Sequence, residues 1–139
     1  MKVTVKRLNK DVLFEGTNAE GNTIQLDGSS AVGGVGKGMR PTEALLTSLA
    51  SCSSIDVVVL LKKMRQQLED IQVEVTGERA EDKIPKVFRK IHLHFILTGN
   101  INHEKAAQAI EMSAERYCTI AKMIDRVAEV THDFEIVNV

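Results

Sequence analysis

The sequence predicts an α+β fold with mainly antiparallel sheets around one long buried helix. Three observations carry that prediction. Short alternating segments flank one long apolar segment, in the order β-β-β-α-β-β-α-β. The long segment is apolar almost all round between Ala44 and Leu61, and such a helix has to be enclosed. Finally, 139 residues without an internal repeat or low-complexity tract suit a single domain, residues 1–139, with a real core. That core is packed mostly by Val, Ile, Leu and Ala, because only 4% of the residues are aromatic and none is tryptophan.

The elements follow in order. Lys2–Leu8 alternates, with Val3 and Val5 on one face, and Val12–Gly16 and Thr23–Asp27 make two further short strands around a turn at Asn18–Asn22. Gly28–Gly38 is a loop with five glycines. Pro41 suits the first helical position, since its ring presets φ and it has no N–H to orphan. Glu43 sits in the first turn, where the helix dipole favours a carboxylate. The helical pattern runs to about Leu68 and passes a basic run, Lys62–Arg65, that suits a solvated C-terminal end. Ile71–Thr76 and Phe88–Thr98 are strands joined by the polar turn Glu78–Lys86. Asn102 caps a second helix whose stripe is Ala106, Ala107, Ile110, Ala114, Tyr117, Cys118 and Ala121, with a break expected near Cys118-Thr119. Val130–Val137 closes as a strand with Val130, His132, Phe134 and Ile136 on one face. One chain's sheet would struggle to cover a helix apolar on every side, so the pattern predicts an intimate two-fold homodimer.

Several function classes are excluded early. Lys+Arg and Asp+Glu total 18 and 19, a formal charge of −1, so no field of one sign attracts nucleic acid or an anionic membrane. Ala44–Leu61 approaches spanning length but holds Thr47, four serines, Cys52 and Asp56, too polar for lipid. The N-terminus alternates and lacks the apolar block of a secretory signal, so the expected compartment is the cytoplasm. The glycine loop fails as a phosphate cradle: Gly36-Lys37 is followed by Gly38, not the hydroxyl a Walker A loop needs. It fails as a dinucleotide fingerprint too, because Met39 stands where the third glycine belongs.

Two cysteines remain. Cys52 lies in mid-helix and Cys118 near the end of the second helix, 66 positions apart, so neither a C-x-x-C motif nor a zinc knuckle is written here. Either could be a small buried hydrophobe. Both fall on inward faces, however, and Cys118 precedes a short helix, Thr119–Val127, whose N-terminal amides favour a thiolate. Asp56, four residues after Cys52, shares its face; unpaired it raises the thiol pKa, and Arg40 or Arg116 is a candidate to neutralise it.

The stretches Arg40-Pro41-Thr42-Glu43-Ala44-Leu45-Leu46, Leu49-Ala50-Ser51-Cys52 and Glu115-Arg116-Tyr117-Cys118 resemble the OsmC/Ohr family of osmotically inducible and organic-hydroperoxide-resistance proteins. They look like its N-P-E-x-L-L-A-A-A-x-A-x-C helix and its later x-x-C-P cysteine. Gly38–Glu43 and Cys52–Val57 resemble most closely the YhfA-like branch. The resemblance implies an OsmC-like, intertwined homodimer with two sites at the subunit interface. It implies thiol-dependent reduction of organic hydroperoxides in oxidative-stress defence, with Cys52 peroxidatic and Cys118 resolving, an external dithiol as reductant, and no metal or organic cofactor. An arginine held by a glutamate lowers the thiol pKa in the family, and here Glu43 with Arg40 or Arg7 are the candidates. The sequence departs from the pattern at Thr42, where the family has its glutamate, and at Thr119, where it has proline. Along an ideal helix Glu43 lies nine residues from Cys52, half a turn out of phase and about 13.5 Å away in rise, so it meets the sulfur only across a dimer or through an arginine.

Other candidates have simpler explanations. His92 and His94 share one side of a strand, a spacing that can bind metal if His103 or His132 adds a third ligand, but an exposed face explains them as well. His132 suits a hydrogen-bonded core histidine. The helix serines suggest close packing at an interface, and no base is placed for a serine nucleophile. The alternative to a peroxidase is a non-catalytic dimer that holds a small apolar ligand near Cys52 as carrier or sensor.

Overall fold

The computed structural model describes all residues, Met1–Val139. The element order is that expected from the sequence: β1 (Thr4–Arg7), β2 (Phe14–Thr17), β3 (Thr23–Leu26), a 3₁₀ turn (Ser30–Val32), α1 (Pro41–Lys63), β4 (Gln67–Arg79), β5 (Phe88–Asn100), α2 (His103–Met112), a π turn (Ser113–Tyr117), α3 (Thr119–Ile124) and β6 (Glu129–Val137). The chain forms two compact units, Met1–Leu45 and Leu46–Val139, and the boundary falls inside α1.

The first unit is the antiparallel sheet β1-β2-β3 and the glycine loop. Leu13 is its one buried large hydrophobic residue, while Val3, Val5, Leu8, Phe14, Ile24, Val32, Val35 and Met39 are all exposed. The loop is organised around a residue the sequence reading passed over. Asp27 is buried, and its carboxylate accepts backbone N–H bonds from Gly28 (2.9 Å), Val35 (2.9 Å) and Lys37 (3.3 Å). Burial works against the charge, but the amides of Val35, Lys37, Gly28 and Gly36 outweigh it and hold the carboxyl below the ordinary carboxylate range. The loop is therefore an anion nest already occupied by its own side chain. Gly33 and Gly36 take left-handed φ values of 101° and 74° in turning these amides inward.

The second unit carries the core. Antiparallel β4-β5 and parallel β5-β6 form its sheet, so the expectation of mainly antiparallel pairing holds for every pair but the last. That exception follows from connectivity: α2, the π turn and α3 form a crossover that returns β6 alongside β5 in the same direction. Ile91, Leu93, Phe95 and Leu97 line the inner face of β5 and pack with Leu49, Val57 and Leu61 of α1 and Ile110 of α2. Val130, His132, Phe134 and Ile136 take the same inner face of β6, half-buried, as the alternation predicted. The His132 side chain makes no hydrogen bond there, which corrects its assignment as a hydrogen-bonded core histidine.

Helix α1 stops earlier than its pattern suggests, at Lys63 rather than near Leu68. Arg65 adopts φ 59°, and the amides of Arg65 and Gln66 bond back to the carbonyls of Lys62 and Leu61, a Schellman termination built without glycine. The residues freed from the helix lengthen β4, which begins at Gln67 rather than Ile71. By length and composition α1 could cross a membrane, yet its Leu49, Val57 and Leu61 are core residues at 0% exposure. It is not enclosed on every side within one chain: Ile55, Val58 and Val59 are 64%, 40% and 45% exposed.

Candidate functional site

Cys52 and Cys118 come together. Their sulfurs and a carboxylate oxygen of Asp56 all lie within 4.8 Å of one another, with Cys52 and Asp56 half-buried and Cys118 fully buried. Cys52 and Asp56 are one helical turn apart on α1, which places both side chains on one face. Cys118 arrives from the other side of the core by a local device. The π turn Ser113–Tyr117 closes with the Cys118 N–H bonded to the Ser113 carbonyl at 2.8 Å, and Cys118 then turns extended to become the N-cap of α3. The π turn also shifts the phase of the expected stripe: Ser113 faces inward, and Tyr117 faces solvent at 48% exposure, where the Arg116 guanidinium lies over its ring.

The Cys118 sulfur receives two hydrogen bonds, from the Ser53 hydroxyl at 3.5 Å and from the Ala121 N–H at 3.3 Å. Both favour a thiolate, as its place before a short helix suggested, but burial is the larger effect and leaves the thiol above its ordinary range. The neighbouring Cys52 pushes it the same way. Cys118 is thus held as a thiol, and Cys52 is the accessible sulfur. Asp56 does not pair with Arg116: its Oδ2 accepts from the Ser113 hydroxyl at 3.0 Å. Ser113 and Ser53 are the two functional neighbours that sequence reasoning missed. Four serines cluster around Cys52, and nothing in their spacing separates Ser53 from Ser51 and Ser54, which bond to their own helix at Thr47 and Ala50. A groove of about 520 Å³ lined by Arg116, Tyr117, Cys118, Lys122, Met123 and Arg126 adjoins the Cys118 side.

Glu43 and Arg40 pair with each other. The Glu43 carboxylate accepts from the Arg40 backbone N–H at 2.9 Å and lies 3.7 Å from its guanidinium, so Glu43 at N3 reaches back to the N-cap residue as in a capping box. Arg7 ends β1, exposed.

The histidines separate. His92 and His94 both approach Asp133 Oδ1, at 2.9 and 2.7 Å, on the exposed face of β5-β6, and His94 also meets Glu135 at 3.3 Å. Hydrogen bonds to Asp133 and Glu135 raise the His94 pKa, and those from His94 and His92 lower that of Asp133. His103 stacks on Phe134 instead, with ring centroids 4.9 Å apart, and His132 points to the opposite face of β6 from Asp133. Neither supplies the third ligand that a histidine metal site required.

A long core helix that carries one cysteine beside a second cysteine at a helix break, in two three-stranded sheets of this connectivity, defines the OsmC-like class. The chain belongs to the OsmC-like protein family, whose model matches residues 34–133. Within it, the chain is 40% identical to protein YhfA of Escherichia coli K12 over 125 residues, 89% of this chain and 90% of the relative. The crystal structure of a hypothetical protein from Aquifex aeolicus is similar throughout, with TM-score 0.85 and 29% identity over 100% of this chain and 98% of that one. An organic hydroperoxide resistance protein OsmC from Legionella pneumophila shares the fold at TM-score 0.72 and 18% identity, covering 97% of each chain.

Proposed function

We propose that the chain is a thiol peroxidase that reduces organic hydroperoxides, with Cys52 as the attacking sulfur and Cys118 as the resolving one. The observation that carries this reading is the pairing of one half-exposed and one buried sulfur within 4.8 Å in an OsmC-like fold. The Cys52 thiolate attacks the terminal peroxide oxygen; the O–O bond breaks, the alkoxide takes a proton and leaves as alcohol, and Cys52 becomes a sulfenic acid. The Cys118 thiol then displaces hydroxide from that sulfur, its proton joins the hydroxide as water, and an S–S bond forms. An external dithiol returns both cysteines to thiols and is itself oxidised. Burial of Cys118 suits this order, since a neutral buried thiol does not compete for peroxide.

The active form is a homodimer in the cytoplasm. The exposed apolar side chains of α1 and of the first unit require cover, and a second copy of the same chain offers the complementary surface. Arg40, held by Glu43, tunes Cys52 in that assembly.

The test is thiol counting. Addition of cumene hydroperoxide to the reduced protein removes both thiols per chain; Cys52→Ser abolishes the loss, and Cys118→Ser halts at a sulfenic acid that dimedone traps. A thiol count unchanged by peroxide overturns the proposal.

A further inference from the structure

We propose that the reduced protein binds one divalent soft cation, with Zn²⁺ as the type case, through Cys52 Sγ, Cys118 Sγ and a carboxylate oxygen of Asp56. This goes beyond the peroxidase reading and stands independently of it, because it needs only the reduced site. The three donor atoms lie within 4.8 Å of one another, and tetrahedral zinc, with Zn–S bonds of about 2.3 Å and Zn–O of about 2.0 Å, holds its ligand atoms about 3.5–3.8 Å apart. Small side-chain rotations close that difference. Cys52 and Asp56, one turn apart on α1, form a rigid two-ligand platform, and Cys118 closes the third corner from the N-cap of α3.

The surroundings are those of a ligand set. The Ser113 hydroxyl donates to Asp56 Oδ2 and so leaves Oδ1 for a metal, while the Ser53 hydroxyl and the Ala121 N–H donate to Cys118 Sγ. Such outer hydrogen bonds orient metal ligands and stabilise coordinated thiolates. Two sulfurs and one oxygen select zinc or a similar borderline cation over magnesium or calcium. Three protein ligands leave a fourth position for water. Two thiolates and a carboxylate around a divalent ion carry one net negative charge, and Arg116, Lys122 and Arg126 line the groove that Cys118 shares. On binding, each S–H bond gives way to an S–metal bond and its proton passes to the buffer. A metal and a disulfide at this site exclude each other.

Cobalt tests the site. Co²⁺ titrated into the reduced, chelator-stripped chain without oxygen is expected to bind at one ion per chain, with a sulfur-to-cobalt charge-transfer band and the visible bands of tetrahedral cobalt. Zn²⁺ then bleaches both. Cys52→Ser and Asp56→Asn are each expected to weaken binding at least about tenfold, since loss of outer-shell partners alone commonly costs that much. Both positions are half-buried, so these variants test the site even if Cys118→Ser does not fold. His92→Asn with His94→Asn is expected to change nothing. An octahedral spectrum, absence of the sulfur band, a band that survives in Cys52→Ser, or one lost in the histidine variant overturns the proposal.

Discussion

Ile55→Asp decides whether α1 is covered by a second chain. Ile55 is 64% exposed on α1, next to Val58 and Val59 at 40% and 45%. Complete burial of an isoleucine contributes about 1.5–3 kcal/mol, so covering the 64% still open contributes about 1–2 kcal/mol per protomer. Two-fold symmetry doubles this to about 2–4 kcal/mol, and an unpaired carboxylate in the same place adds its own desolvation cost. The dimer dissociation constant is therefore expected to rise at least about 30-fold. If the face were solvent in the working protein, the same surface change would stay within about 0.5 kcal/mol and leave association alone. Sedimentation velocity over a concentration series measures the difference. Ile84→Asp is the control, at a residue 93% exposed in the turn between β4 and β5, and is expected to sediment like the parent chain. A parent chain that is monomeric at every concentration, or an Ile55→Asp dimer as tight as the parent, refutes the reasoning.

Three further outcomes follow from the geometry. In the Cys52→Ser background, Cys118 is expected to alkylate slowly and only toward alkaline pH, and Ser53→Ala to shift that profile further up by removing a donor to the sulfur; iodoacetamide rates against pH measure both. Asp27→Asn is expected to destabilise the first unit near neutrality, because an amide cannot accept all the N–H bonds that the carboxylate does. The folded Asp27 pKa lies below its ordinary 3.8, so its contribution is present above that value and is lost as pH falls through the lower folded one; denaturation midpoints in acid should converge for parent and variant. His94 has the opposite sign: its raised pKa gives stability that is present below 6.5 and is lost as pH climbs through the higher folded value. NMR titration should place His94 above 6.5 and bring it back down in Asp133→Asn, and a His94 that titrates at or below 6.5 in the parent chain contradicts the pairing.

The element order, the long helix with Pro41 at its first position, the Asn102 cap and the break before Thr119 were all legible in the residues, because periodicity and capping are local properties. The sequence also singled out Cys52 in mid-helix and Cys118 at a helix break. The remaining features needed the folded chain, since each depends on partners distant in sequence. The parallel β5-β6 pair needs the return path of the crossover, and the grip of the glycine loop on Asp27 needs eight to ten residues of chain to fold back. The choice of Ser53 over its sister serines, and of Ser113 for Asp56, depends on where a π turn delivers Cys118. Local spacing tells which face a side chain takes, and packing alone tells what stands opposite it.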